Sequence, residues 1–110
     1  MFNCNNQNGS VCGNQNDRCG NPCCACDFET LQNTRKDLIG ELDAIIQYDD
    51  HLHKTDNRLA KETWEDIRNE ELVHVGELLG LLYCLAPYQK AYVEKGLKEF
   101  DERLSKCRCN

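Results

Sequence analysis

The sequence predicts an all-α protein, and three observations carry that prediction. From Asp27 onward apolar residues recur at three- and four-residue spacing, the signature of amphipathic helices. Only two prolines occur in 110 residues, and Pro87 is the one that falls inside the periodic region. Two breaks, Thr55-Asp56-Asn57 and Ala86-Pro87, divide that region into three segments. Nothing supports a β-sandwich, a dinucleotide-binding βαβ unit or a phosphate loop.

In the first segment Leu31, Leu38, Leu42, Ile45 and Leu52 form the apolar stripe, with Arg35, Lys36, Asp50 and Lys54 elsewhere around the axis. Thr55-Asp56-Asn57 is a turn whose polar side chains can cap the next helix. The second helix carries Leu59, Trp64, Ile67, Val75, Leu78, Leu82 and Leu85. It is expected to stop near Ala86, because proline disfavours helix in the residue before it but suits a first helical turn. A shorter third helix, Tyr88 to about Lys106, places Tyr92, Val93, Leu97, Phe100 and Leu104 inward. The first two helices, joined by a short turn, make a long antiparallel hairpin, roughly 40 Å at 1.5 Å per residue.

Composition divides the chain into residues 1–26, a helical domain over 27–106 and a tail over 107–110. The first part is rich in Asn, Gln, Gly and Cys, with little aliphatic content. It cannot bury enough apolar surface to offset its ordering entropy unless cross-links, a metal or a partner chain fix it. The net charge of −6 argues against nucleic-acid binding through a basic face. No apolar run approaches the ~20 residues of a membrane span. The first residues have neither the basic start nor the apolar stretch of a secretory signal, so synthesis in a bacterial cytoplasm is expected.

Polar residues stand inside the apolar stripes. With Glu71 set at zero and 100° per residue, Trp64, Ile67, Val75, Leu78 and Leu82 all fall within about 40° of it, and His74 within about 60°. Glu41 sits similarly in the first helix, with Leu38, Ile45, Tyr48 and Leu52 within about 60°. A carboxylate at such a position costs several kcal/mol unless something offsets its charge. Taken singly, Glu41 reads as half of an ion pair and His74 as a hydrogen-bonded core histidine. Taken together, a Glu facing a Glu-x-x-His is half the ligand set of a carboxylate-bridged di-iron site. Carboxylate oxygen with imidazole nitrogen suits iron or manganese, with zinc a possible substitute. No second Glu-x-x-His is present, since Glu99 and Glu102 have no histidine after them. Two hairpins meeting on a two-fold axis would complete a four-helix bundle and supply the missing half. Glu77, His51 and His53 read as surface residues, and Trp64, Leu78 and Leu82 as core.

The run Glu41-Leu42-Asp43-Ala44-Ile45-Ile46-Gln47-Tyr48-Asp49, followed by Asn69-Glu70-Glu71-Leu72-Val73-His74, resembles the encapsulated ferritins of bacterial nanocompartments. The resemblance covers about residues 30 to 104. It implies a ferritin-like fold, a ferroxidase centre built across a homodimer, and dimers assembled into rings. It also implies that Glu41, Glu71 and His74 ligate iron, that Tyr48 is the tyrosine of the centre, and that an encapsulin-type shell is a partner. Two positions depart from the family. Its acidic access site uses two glutamates where this chain has Gly40 and Asp43, and the sequence Ser105-Lys106-Cys107-Arg108-Cys109-Asn110 lacks the shell-docking tail.

The cysteines point elsewhere. Cys4, Cys12, Cys19, Cys23, Cys24 and Cys26 lie in the first segment, and Cys107 and Cys109 in the last. Their spacing is not a paired C-x-x-C zinc framework, and iron–sulfur ligation fits it less well. A reduced, disordered tail is the plain alternative. Disulfides linking termini within or between subunits are the favoured reading, with Cys84 a separate buried thiol on the second helix. Two functions follow: an iron-oxidising, iron-storing protein, or a cysteine-linked building block of a spore coat, cage or filament.

Overall fold

The computed structural model describes residues 27–107. Three helices account for nearly all of them: α1 (Phe28–Lys54), α2 (Arg58–Leu85) and α3 (Pro87–Cys107). The described residues contain no strand, and the all-α prediction holds, with boundaries within a residue or two of those read from the sequence. No helix among them is long and apolar enough to cross a membrane.

Each boundary has a local cause. Asp27, in extended conformation, accepts from the backbone N–H groups of Glu29 and Thr30, and its other oxygen takes the Thr30 hydroxyl at 2.6 Å. These bonds, the Thr30 hydroxyl first, hold the Asp27 carboxyl below its usual range. At the far end the Thr55 N–H closes onto the His51 carbonyl. Asn57 then caps α2, its Oδ1 accepting from the Ala60 N–H at 2.9 Å. Pro87 opens α3, where its missing N–H costs nothing.

Asp27–Leu82 forms one compact unit, the α1–α2 hairpin, and the described part of a second runs from Tyr83 to Cys107. The hairpin is antiparallel, and side chains fix its register. Glu41 meets His74, and the His51 ring packs against the Trp64 ring at 4.8 Å between centroids. Ten residues forward on α1 is thus matched by ten residues back on α2. Leu31, Thr34 and Leu82 are buried in this unit. The Thr34 hydroxyl donates to the Thr30 carbonyl at 2.8 Å, so its burial leaves no bond unmade. In the second unit Leu85 and Ala86 are buried.

Several stripe residues expected inward lie in the open. Leu42 is 51% exposed and Leu59 74%, and on α3 Tyr92, Val93, Leu97, Phe100 and Leu104 are all exposed. Periodicity tells which residues share a helix face, not whether anything covers that face. Two helices can bury only the seam between them. Cys84, expected to be a buried thiol, is half-buried. Cys107 ends α3 as an exposed free thiol. Cys4, Cys12, Cys19, Cys23, Cys24, Cys26 and Cys109 lie outside the described residues.

Removing the α2 cap by Asn57→Ala is expected to cost about 1 kcal/mol, and Asn57→Asp to cost little. Urea melts followed by circular dichroism at 222 nm check this; equal midpoints for Asn57→Ala and the parent would show the cap to be idle.

Candidate metal centre

Glu71 and His74 stand one helical turn apart, a spacing that sends both side chains to the same side of α2. The hairpin register brings Glu41 of α1 across from them. The result is a cluster in which one ligand atom from each of Glu41, Glu71 and His74 lies within 4.8 Å of the others. His74 Nδ1–H donates to Glu71 Oε1 at 2.9 Å and lies 3.2 Å from Glu41 Oε1. The two carboxylates are well covered, at 24% and 19% side-chain exposure, whereas the imidazole at 45% reaches solvent.

The electrostatics follow from that geometry. The hydrogen bond to Glu71, then the one to Glu41, raises the His74 pKa above its ordinary value, against an opposing effect of desolvation and with the charges of both carboxylates adding to the rise. A proton on His74 therefore partly neutralises two carboxylates that face one another. A cation does the same with more charge and more bonds. Two carboxylate oxygens and an imidazole nitrogen, converging within a few ångströms on one half-buried spot, are donors that hard or borderline divalent ions accept. The residues fit a metal.

A cavity of about 480 Å³ opens beside the cluster. Glu41 and His74 form part of its wall, with Lys36, Asp37, Gly40 and Glu77 around them. Glu77, read from the sequence as a solvated residue, is exposed but borders this cavity. Gly40 leaves the wall low, since a Cβ there would meet nothing within 4 Å.

The three proposed ligands thus come together. Tyr48 is half-buried, and its ring contact runs edge-on to His51 at 6.2 Å between centroids. His51, expected at the surface, is instead packed between the helices. Its Nδ1 is buried without a hydrogen-bond partner among the described residues. His53 is exposed, as expected. Sequence reasoning missed the His51–Trp64 packing because a histidine near a turn carries no sign of what the opposite helix places across from it.

Comparison with known proteins finds relatives over the helical region. The chain is 32% identical over 74 residues to the ferritin-like-encapsulin shell fusion protein of Pyrococcus furiosus. It is 31% identical over 74 residues to the encapsulin nanocompartment cargo protein EncC of Myxococcus xanthus. Over these 74 residues the chain is similar to encapsulated ferritin-like proteins. Each alignment covers 67% of this chain, but only 21% of the Pyrococcus protein and 57% of the Myxococcus protein. No family model matches the chain, and no solved structure matches it significantly.

The raised His74 pKa has a consequence for the metal-free chain. Its stabilising contribution is fully present below the ordinary histidine pKa of about 6.5 and is lost as pH rises through the elevated midpoint. In NMR titrations Glu71→Gln is expected to lower the His74 midpoint more than Glu41→Gln does. Identical midpoints in all three proteins would contradict the arrangement.

Proposed function

We propose that this protein is ferritin-like and that it binds and oxidises Fe(II) at a site shared between two copies of the chain. The observation that carries the reading is the convergence of Glu41, Glu71 and His74 at ligating separation. Three donors from one chain are half the four-Glu, two-His set of a carboxylate-bridged di-metal centre in a four-helix bundle. A second hairpin related by a two-fold axis supplies the other half. Apolar exposure favours such a partner. Leu42 and Leu72, each next in sequence to a site carboxylate, are both 51% exposed, and Ile39 and Ile46 nearby are 62% and 65% exposed.

In this reading Fe(II) is substrate. Each ion gives up one electron, and two ions together supply the pair that reduces O₂ to the level of peroxide. The chain's own part is to gather charge and to handle one proton. Glu41 and Glu71 offset the two cations, and His74 loses its Nδ1 proton to water as that nitrogen becomes a ligand. Tyr48, one face-repeat along α1 from Glu41, is assigned as the tyrosine near the centre. The names of the two relatives favour an encapsulin-type shell as partner and a nanocompartment as location, where Fe(III) is stored.

Glu71→Ala and His74→Ala are expected to slow oxygen-dependent Fe(II) oxidation at least about tenfold, and light scattering is expected to show a dimer or larger assembly. Oxidation at the parental rate in Glu71→Ala would remove the reading. A structural role in a cysteine-linked assembly is favoured by one observation, the exposed Cys107 thiol. On that reading Cys107→Ser reduces the high-mass bands on non-reducing gels; a band pattern identical to the parent's excludes Cys107 from the linkage.

A further inference from the structure

Besides the His74–Glu41 contact, α1 is tied to α2 by an ion pair between the Arg68 guanidinium and the Asp49 carboxylate. Its position is informative. Arg68 stands three residues before Glu71, one turn away and close to the same face of α2. Whatever holds Arg68 in place therefore also sets the rotation of α2 about its axis at Glu71. The Arg68 side chain is 24% exposed, and its Nε is held by Asn69 Oδ1 at 3.0 Å, so the guanidinium is anchored on its own helix before it reaches across. Lys54–Asp50 and Arg58–Glu62, by contrast, each stay within one helix and carry no information about register.

The site needs such a device. Glu41 and Glu71 repel one another whenever His74 is neutral, and the apolar residues next to them, Leu42 and Leu72, give the hairpin little burial at this level. A slip of α2 by one turn moves its side chains ~5.4 Å along the axis, which takes His74 out of reach of Glu41, now 3.2 Å away. The His51–Trp64 packing limits the slide near the turn, but rings in contact tolerate rotation that a guanidinium–carboxylate pair does not.

We propose that the Asp49–Arg68 ion pair is a positioning device for the metal centre, fixing the register and rotation of α2 against α1 so that Glu71 and His74 meet Glu41 in ligating geometry before a metal arrives. The inference rests on the metal-binding reading above. An ion pair with an exposed partner adds little to folding stability. The pair's effect therefore falls on metal affinity rather than on melting.

Co(II) titration of the full chain, read by absorbance, tests this. Asp49→Asn is expected to weaken Co(II) binding about tenfold, in the range typical of residues that orient metal ligands. The melting temperature of the metal-free chain is expected to move by no more than a few degrees. The charge-reversed pair Asp49→Arg with Arg68→Asp is expected to recover binding to within about threefold of the parent. Parental affinity in Asp49→Asn overturns the inference and leaves the metal reading standing. So does a reversed pair that binds as weakly as the single variant. A parent chain that binds no Co(II) overturns both.

Discussion

One imidazole between two carboxylates is the contact on which the centre depends. His74 and Glu71 come from one helix and Glu41 from another, so the cluster exists only while the hairpin keeps its register. That register is set by few interactions. Leu31 and Leu82 are the fully buried large side chains of the unit, and much of the remaining apolar surface is open. A hairpin so thinly packed cannot rely on its core to place three ligand atoms within 4.8 Å. Directional contacts must do it: the Asp49–Arg68 pair, the His51–Trp64 packing and the site's own hydrogen bonds.

The same thinness explains why a second copy belongs in the functional reading. On the proposed reading, half a ligand set and a half-covered apolar face occur together on this hairpin. Both are answered by one operation, a two-fold pairing that covers the face and doubles the donors. Charge points the same way. Doubling Glu41 and Glu71 concentrates four carboxylates in one place, an arrangement that is unfavourable in the absence of cations and favourable around two of them. Binding would then couple to assembly, since the ions offset the repulsion that pairing creates.

Much of this was legible in the sequence because it is local. Cap, turn and proline signals fixed the helix ends: Asn57 does cap α2, and α2 does end before Pro87. The three-residue spacing of Glu71 and His74 dictated a common side of the helix whatever the tertiary structure. The place of Glu41 within its stripe marked it as the partner, and the structure puts it there. His51 was not legible, because its surroundings come from Trp64 on another helix. Nor was the Asp49–Arg68 pair: on a sequence Arg68 is a charge at the margin of the stripe, and only the register sets Asp49 opposite.

The sequence by itself therefore determined the helices, their ends and the polar residues carried in their apolar stripes, since these follow from backbone propensity and angular spacing along one axis. Tertiary structure decided what spacing cannot encode: which faces are covered and which residues meet across the hairpin. It left the Tyr92–Leu104 face of α3 exposed where periodicity alone suggested a core. It also brought Gly40, Asp37 and Glu77 around a cavity beside His74. The physical reason is that burial and contact belong to pairs of elements, whereas periodicity belongs to one.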